Sequence, residues 1–202
     1  MTVKGVIQNT FPIPVCFYTL NEPIKKSVNT FIKNLKYKPN ELNTSSTDSF
    51  VFANEDLNQI KVFVDDCLQD FFKNVYDPYG DVECYITQSW INITKKGEAH
   101  HRHVHPNSFI SGVFYLEADN KLDKIHFYKE GYQQVQLQIK NFNPYNSTSW
   151  WYPVKTGDLV LFPSHFAHSV EPVKVKRRIS LSFNTFLKGD LGVESSFTGL
   201  KL

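Results

Sequence analysis

Histidines concentrate in one short run of this sequence. Of seven histidines in 202 residues, four lie within six positions, at His100, His101, His103 and His105. Neutral imidazole is the commonest protein ligand of transition metals. Residues i and i+2 of a strand point to the same face, so His103 and His105 would hold one ion together. His168, in the compact segment GDLVLFPSHFAHSVEPV, would supply a third ligand.

The other histidines carry weaker signals. Strand alternation places His100 on the face opposite His103, where we expect it to be at the surface. His101 is expected to lie on the face of His103, either as a ligand or as a group that supports one. His126 and His165 stand alone in the sequence, and we expect them to be structural.

A second polar pattern follows in RRISLSFNTF. Alternation puts four polar side chains on one face of this predicted strand, namely Arg178, Ser180, Ser182 and Asn184. That face lies either in solvent or in a polar cavity. Arg178 follows His168 on the next predicted strand, so a hairpin would bring it near the metal. An arginine fork binds a carboxylate, and a hydroxyl two residues on, at Ser180, would bind the same group.

The N-terminal part of the chain is predicted to be helical after one strand. Residues 11–20 predict the opening strand, and apolar residues at helical spacing predict helices over 22–37 and 55–76. The polar segment 39–54 is predicted to be a loop. The turn sequence DPYG at 77–80 ends the second helix.

Strands dominate the rest of the sequence. Turn signals separate predicted strands at 82–94, 108–117, 124–129, 134–140, 150–154, 158–162, 167–173 and 177–187. This order indicates an α+β, mainly β protein, a small barrel or jelly roll with the N-terminal helices packed on one sheet. The segment 141–153 holds five aromatic residues; we expect core packing there rather than a substrate groove.

Composition limits the classes of protein. We expect a single domain over 1–202, with an N-terminal strand and helices (1–81), a β core (82–190) and a tail (191–202). The net charge of +2 does not indicate nucleic-acid binding. No apolar run predicts a membrane span or a signal peptide. Three scattered cysteines fit a reducing compartment, so we expect a cytoplasmic protein.

These segments resemble the Fe(II)/2-oxoglutarate-dependent oxygenases, including the prolyl hydroxylases. NITKKGEAHHRHVH is similar to the family pattern in which an Asn or Tyr and a Gly precede the HxD metal motif. GDLVLFPSHFAHSVEPV resembles the strand and distal histidine of that superfamily, and RRIS resembles its R-x-S anchor. The resemblance covers roughly residues 86–187.

The resemblance implies a double-stranded β-helix, a cupin-like jelly roll, over the core. It implies that His103 and His168 bind Fe(II), and that Arg178 and Ser180 bind the C5 carboxylate of 2-oxoglutarate. Asn92 matches a position that helps to hold the cosubstrate. Tyr115, on a neighbouring predicted strand, is a further candidate for cosubstrate binding.

His105 departs from the family pattern, because it stands where the HxD motif has Asp. Three imidazoles leave the Fe(II) site one negative charge short. Glu98 or Asp119 would supply that charge if either carboxylate reached the metal.

The sequence therefore predicts an Fe(II)- and 2-oxoglutarate-dependent dioxygenase, a hydroxylase that uses O2 and releases succinate and CO2. Its substrate is a protein, a peptide or a small molecule, and a homodimer is left open. One alternative is a three-histidine, cupin-like dioxygenase that does not use 2-oxoglutarate. Another is a non-catalytic β-sandwich that binds a metal through its histidines.

Overall fold

The computed structural model describes residues 3–131 and 135–202. Two α-helices lie in the N-terminal part, α1 (Lys26–Asn34) and α2 (Asn58–Tyr76). The strands, in chain order, are β1 (Cys16–Thr19), β2 (Tyr37–Asn40), β3 (Asn43–Ser46), β4 (Glu83–Lys95), β5 (His100–His103), β6 (Ile110–Glu117), β7 (Lys124–Tyr128), β8 (Ser149–Pro153), β9 (Asp158–Pro163), β10 (His168–Val170), β11 (Arg177–Lys188), β12 (Asp190–Leu191) and β13 (Leu200–Lys201).

Two antiparallel sheets form the body of the protein. The major sheet has the order β1-β9-β6-β11-β4-β3-β2, and the minor sheet has the order β5-β10-β7-β8. Strands that follow one another in the chain alternate between the sheets, as β4 to β7 show. This crossing is what makes a jelly roll rather than a simple meander, and it confirms the predicted double-stranded β-helix.

Helices α1 and α2 cover the outer face of the major sheet. Apolar residues of α2, such as Ile60, Val64 and Phe71, share one buried cluster with Phe114 of β6 and Leu181 of β11. The prediction that the N-terminal helices pack on one sheet is therefore confirmed.

A second apolar cluster fills the space between the two sheets. Val113 and Tyr115 of β6 meet Ile125 and Phe127 of β7 there. Because side chains alternate along β6, Phe114 faces the helices while its two neighbours face the minor sheet. The interior between the sheets is thus lined by alternate residues of both.

The polar face of β11 points into this interior. Ile179, Leu181 and Phe183 pack in the helix-side cluster, so the intervening Arg178, Ser180, Ser182 and Asn184 face the minor sheet. Arg178 is only 2% exposed, which resolves the question that the sequence left open. The stripe therefore faces the interior between the sheets and not solvent.

Two predicted elements differ in the structure. Residues 39–54 do not form a simple loop, because β2 and β3 make a hairpin that extends the major sheet at β4. The prediction missed it because its residues are polar, whereas strand signals are apolar and β-branched. The predicted strand 134–140 is wrong over 135–140, where no strand forms, and residue 134 lies outside the described residues.

The remaining predicted elements exist with shifted ends. The opening strand shrinks from 11–20 to β1, and the first helix shrinks from 22–37 to α1. Helix α2 ends as predicted at DPYG, where Asp77 takes a left-handed conformation and its N–H bonds the carbonyls of Phe72 and Lys73. No helix in the described part of the chain is long and apolar enough to cross a membrane.

Candidate metal centre and cosubstrate pocket

The three predicted histidine ligands come together at one end of the minor sheet. His103 ends β5 and pairs with His168, the first residue of β10. His105 lies just beyond β5, where its backbone N–H bonds the Ser164 carbonyl at 3.0 Å. One nitrogen from each of the three rings lies within 4.8 Å of the other two. The three residues selected by their spacing therefore converge in the structure, although His105 follows the strand and is not part of it.

In each of the three rings, Nδ1 lies within hydrogen-bonding distance of an oxygen atom. His103 Nδ1 lies 2.8 Å from the His101 carbonyl, and His168 Nδ1 lies 3.1 Å from the Phe166 carbonyl. His105 Nδ1 lies 2.6 Å from Asn184 Oδ1. A carbonyl can only accept, so each Nδ1 donates its proton and each Nε2 keeps a lone pair. This outer arrangement is typical of metal-binding histidines.

The Nε2 atoms of His103 and His105 lie 3.0 Å apart. Two lone pairs facing each other at this distance repel, and a cation between the rings removes the repulsion. The donor set therefore fits a divalent metal ion of the first transition row, for which imidazole is a good ligand.

Burial keeps these imidazoles in the neutral form that binds metals. Desolvation, together with the neighbouring His103, lowers the pKa of His105 to about 4. Desolvation also lowers the pKa of His103, and that of His168 falls well below its ordinary value. A metal ion therefore meets little competition from protons at neutral pH.

No carboxylate completes the site within the described residues. The histidine, cysteine and acidic groups that converge there are the three histidines alone. The Glu98 carboxylate instead accepts from the Lys95 N–H at 2.8 Å, and the Asp119 carboxylate from the Lys121 N–H at 2.8 Å. Neither acid supplies the missing charge, because each caps its own turn.

His100 is half-buried, whereas the sequence predicted a surface position. Its ring stacks on that of His103, with centroids 4.5 Å apart, and burial lowers its pKa to about 3. The prediction failed because the pairing of β5 with β10 is irregular: His103 faces His168, but His100 faces Val170. Three steps on one strand match two on the other, so strict alternation does not hold.

His101 supports the centre without joining it. Its backbone carbonyl holds His103, and its own Nδ1 lies 3.0 Å from Glu41 Oε2. The two isolated histidines lie elsewhere: His126 Nδ1 is 3.7 Å from Glu171 Oε1, and His165 is exposed in the turn before β10. The structural reading of both therefore stays in place.

The four predicted cosubstrate residues lie side by side across the major sheet. Tyr115, Ser180 and Asn92 form one row, because Ser180 of β11 pairs with both of the others. Arg178 follows two residues away on the same face. It donates to the Lys124 carbonyl at 3.1 Å and to the Tyr115 hydroxyl at 3.2 Å.

The guanidinium of Arg178 has no acidic partner among the described residues. Its hydrogen-bond partners, the Lys124 carbonyl and the Tyr115 hydroxyl, are neutral, and the Asp123 carboxylate interacts with it only from beyond ion-pairing distance. A buried unpaired charge is costly, whereas a carboxylate ligand would satisfy both its charge and its remaining N–H groups. The arrangement fits an anion that enters the cavity.

The distance between anchor and metal centre suits a short dicarboxylate. Lys124, whose carbonyl holds Arg178, lies three residues before Phe127, which pairs with His168. Three residues of a strand span about 10 Å. A five-carbon chain together with the reach of the arginine side chain covers such a span.

Sequence reasoning missed the groups that hold these residues in place. Asn92 Oδ1 accepts from the Ser45 hydroxyl at 2.6 Å, and Ser45 belongs to the unpredicted β3. The bond from Asn184 to His105 crosses 79 residues of sequence. The position of Asn184 on the polar face of β11 was the one signal available for it.

The aromatic segment 141–153 does not pack in the core as expected. Phe142, Tyr145 and Trp151 are exposed, while Trp150 and Tyr152 are half-buried. Trp150 and Tyr152 line a cavity of about 880 Å³ together with Phe127 and Phe166. Phe127 also neighbours His168, with ring centroids 6.3 Å apart, so this cavity lies beside the metal centre.

The fold and the site define a class: jelly-roll proteins that hold a metal ion between strand ends and an anion on a buried arginine. Comparison with known proteins agrees. Residues 88–184 match the family described as "Putative 2OG-Fe(II) oxygenase". That range contains all seven predicted site residues. The family match agrees with the predicted resemblance and indicates an enzyme that uses Fe(II) and 2-oxoglutarate.

Solved structures of low sequence identity share the fold. A prolyl-4-hydroxylase from Pseudomonas putida is 14% identical, with a TM-score of 0.55, over 85% of this chain and 92% of that one. A prolyl hydroxylase from Trichoplax adhaerens, in complex with a peptide fragment, is 13% identical (TM-score 0.58; 85% and 83% covered). HygX from Streptomyces hygroscopicus, with nickel, 2-oxoglutarate and hygromycin B bound, is 10% identical (TM-score 0.57; 86% and 82%). No curated protein matches the sequence significantly.

Proposed function

We propose that this enzyme hydroxylates an organic substrate while it converts 2-oxoglutarate to succinate and CO2. One observation carries the proposal: three imidazole nitrogens converge on the minor sheet, and Arg178 is buried without an ion-pair partner on the face of the major sheet that looks toward it. In this proposal the histidines bind a cation and Arg178 binds an anion. A molecule that chelates a metal through one carboxylate and presents a second carboxylate satisfies both.

The ligand assignment follows from the converging nitrogens. His103, His105 and His168 hold Fe(II) through Nε2, which leaves coordination positions for the cosubstrate and O2. All three ligands are neutral, so the site keeps more positive charge than one with an aspartate. That charge attracts the anionic cosubstrate.

In this proposal the cosubstrate lies along the polar stripe of β11. Arg178 binds its C5 carboxylate with the N–H groups that the Lys124 carbonyl and the Tyr115 hydroxyl leave free. Ser180, two residues on along the same face of β11, would donate its hydroxyl to the same carboxylate. Tyr115, fully buried with a raised pKa, stays protonated and orients the guanidinium. Asn92 borders the cosubstrate from β4.

The overall reaction balances without a further reductant. One atom of O2 enters succinate as 2-oxoglutarate loses CO2, and the other enters a C–H bond of the substrate. Iron, when bound, supplies the O2 chemistry, and the protein supplies position and exclusion of water. The aromatic residues between the sheets keep the site dry on the side of His168.

The cavity beside the metal centre is the candidate substrate site. Its wall combines aromatic rings with the extended N-terminal segment, which Asn9 ties to the Tyr145 hydroxyl at 2.8 Å. Aromatic faces suit a peptide, a sugar or a base. A protein, peptide or small-molecule substrate therefore remains proposed, and no one of them is favoured.

Two neighbouring arginines provide a matched test. We expect the purified protein, reconstituted anaerobically with Fe(II), to bind 2-oxoglutarate and, on adding O2, to release succinate. Arg178→Leu should weaken 2-oxoglutarate binding by about 100-fold, because a lost charge-assisted pair costs about 3 kcal/mol. Arg177→Leu, on the opposite face and paired with Glu117, should leave binding unchanged. Calorimetry and succinate assay give the two readouts.

The same measurements separate the alternatives. A three-histidine dioxygenase that does not use 2-oxoglutarate would bind Fe(II) but show no heat of 2-oxoglutarate binding. A non-catalytic metal module would bind a metal and produce no succinate. Equal 2-oxoglutarate affinity in both arginine variants would refute the assignment of Arg178.

A further inference from the structure

His105 occupies the position of the family's carboxylate ligand, and two oxygen atoms hold its ring from behind. Its Nδ1 lies 2.6 Å from Asn184 Oδ1 and 2.9 Å from Ser111 Oγ. Asn184 is on β11, on the polar face that also carries Arg178, while Ser111 is on the neighbouring β6. The two strands pair at these residues, which fixes both oxygens relative to the ring.

The hydrogen-bond chain behind Ser111 determines which atom donates. Ser164 Oγ donates its only hydrogen to Ser108 Oγ at 2.7 Å, so it can only accept from Ser111. Ser111 Oγ lies 2.8 Å from Ser164 Oγ and 3.4 Å from Asn184 Oδ1, so it donates its own hydrogen to one of these two acceptors. Ser111 can then only accept from His105, and the Asn184 carbonyl oxygen is an acceptor too. Nδ1 of His105 must carry the proton.

This tautomer directs the lone pair of His105 to the metal site. With Nδ1 protonated, Nε2 is an unprotonated acceptor, 3.0 Å from the equally unprotonated Nε2 of His103. The second hydrogen bond also stops the ring from flipping. A histidine without these partners would be free to place its proton on Nε2 and so block metal binding.

We propose that Asn184 is the positioning residue that makes His105 an effective replacement for the missing carboxylate. The proposal rests on the proposed function, because it takes His105 as a metal ligand. Asn184 gives the shorter of the two bonds to Nδ1, and Ser111 assists. Asn184 is neutral. It therefore orients the imidazole but does not supply the negative charge that the aspartate of the HxD motif would provide.

The test is an anaerobic titration of the metal-free protein with Co(II) at pH 8, followed by ligand-field absorption and calorimetry. Asn184→Leu should bind Co(II) about 10- to 100-fold more weakly, as removal of outer-shell partners of metal-binding histidines does. Asn184→Asp should bind Co(II) more tightly than the wild type, because a carboxylate accepts the same bond and adds negative charge. Asn74→Leu, an exposed residue of α2, is the matched control and should bind like the wild type.

Each outcome decides one question. Unchanged Co(II) affinity in Asn184→Leu overturns the positioning role. If that variant does not fold, as circular dichroism would show, Asn184→Asp decides: equal or weaker binding than the wild type overturns the role. If the wild type itself shows no Co(II) absorption that depends on His103, the proposed function fails instead.

Discussion

At the scale of single residues, the proposed chemistry depends on which imidazole nitrogens are unprotonated. Burial keeps the clustered histidines neutral, and backbone or amide oxygens fix the proton of each ligand on Nδ1. Arg178 is the opposite case, a cationic side chain that is buried with two neutral hydrogen-bond partners. In the proposed function these few groups provide a cation site and an anion site.

The neutral histidines make a prediction for the stability of the metal-free protein. In the unfolded chain a histidine has a pKa near 6.5, whereas folded His105 has a pKa of about 4 and folded His100 of about 3. Below pH 6.5 the unfolded state therefore binds more protons. The free energy of unfolding should fall with decreasing pH by about 1.4 kcal/mol per pH unit for each such histidine, down to about pH 4.

Urea denaturation at pH 7, 6 and 5 measures this slope. The variant His105→Gln removes one of the contributing groups, so its slope should be shallower than that of the wild type. Equal stability of the wild type at pH 7 and pH 5 would contradict the buried, neutral state of the cluster.

At the scale of elements, β11 is the strand that organises the site. It is central in the major sheet, between β4 and β6, and its two faces have different roles. One face packs under the helices; the other carries Arg178 at one end and Asn184 at the other. Alternation along a single strand therefore sets the separation between the anion anchor and the residue behind His105.

The pairing of β11 with β6 depends on one close contact. Phe183 pairs with Gly112, and a Cβ at Gly112 would lie 2.0 Å from the Phe183 ring. Gly112→Ala should lower the free energy of unfolding by about 1–3 kcal/mol through overpacking. Thermal or urea denaturation measures the change. Gly5→Ala, which meets no atom within 4 Å, serves as the control and should be neutral.

A second substitution tests the cause of that loss. Phe183→Leu in the Gly112→Ala background removes the ring that the new methyl group meets, so the double variant should lose less than the two single losses added together. Strict additivity would show that the ring contact is not the source.

At the scale of the whole molecule, the ligands are expected to bridge the two sheets. The proposed metal ligands come from the minor sheet and the segment after β5, whereas Arg178 and Ser180 come from the major sheet. Ligands that bind only the folded protein stabilise it by about 2.7 kcal/mol at 100 times their dissociation constant. For a chain of this size that corresponds to a rise of about 5–10 °C in Tm.

Differential scanning fluorimetry with Co(II) and 2-oxoglutarate, under anaerobic conditions, tests this expectation. Co(II) and 2-oxoglutarate together should raise Tm more than either alone, and a chelator should reverse the effect. In Arg178→Leu the metal shift should persist while the additional 2-oxoglutarate shift disappears. A full 2-oxoglutarate shift without metal would argue against chelation.

The sequence by itself determined the residues of the candidate site and the class of fold. Local patterns were sufficient for this: the histidines cluster in a few positions, and the polar and apolar faces of β11 alternate at the period of a strand. The family motifs joined these patterns into one prediction. Location in the cytoplasm, the oligomeric state and the substrate remain predictions or open questions at this level.

The tertiary structure decided what depends on contacts between distant segments. The irregular pairing of β5 turns His100 inward, the polar hairpin of β2 and β3 holds Asn92, and Asn184 holds His105 from 79 residues away. It also showed that Glu98 and Asp119 are occupied elsewhere. The reason is physical: periodicity predicts which face a residue occupies, but hydrogen-bond partners and strand register are set by the packing of the whole sheet.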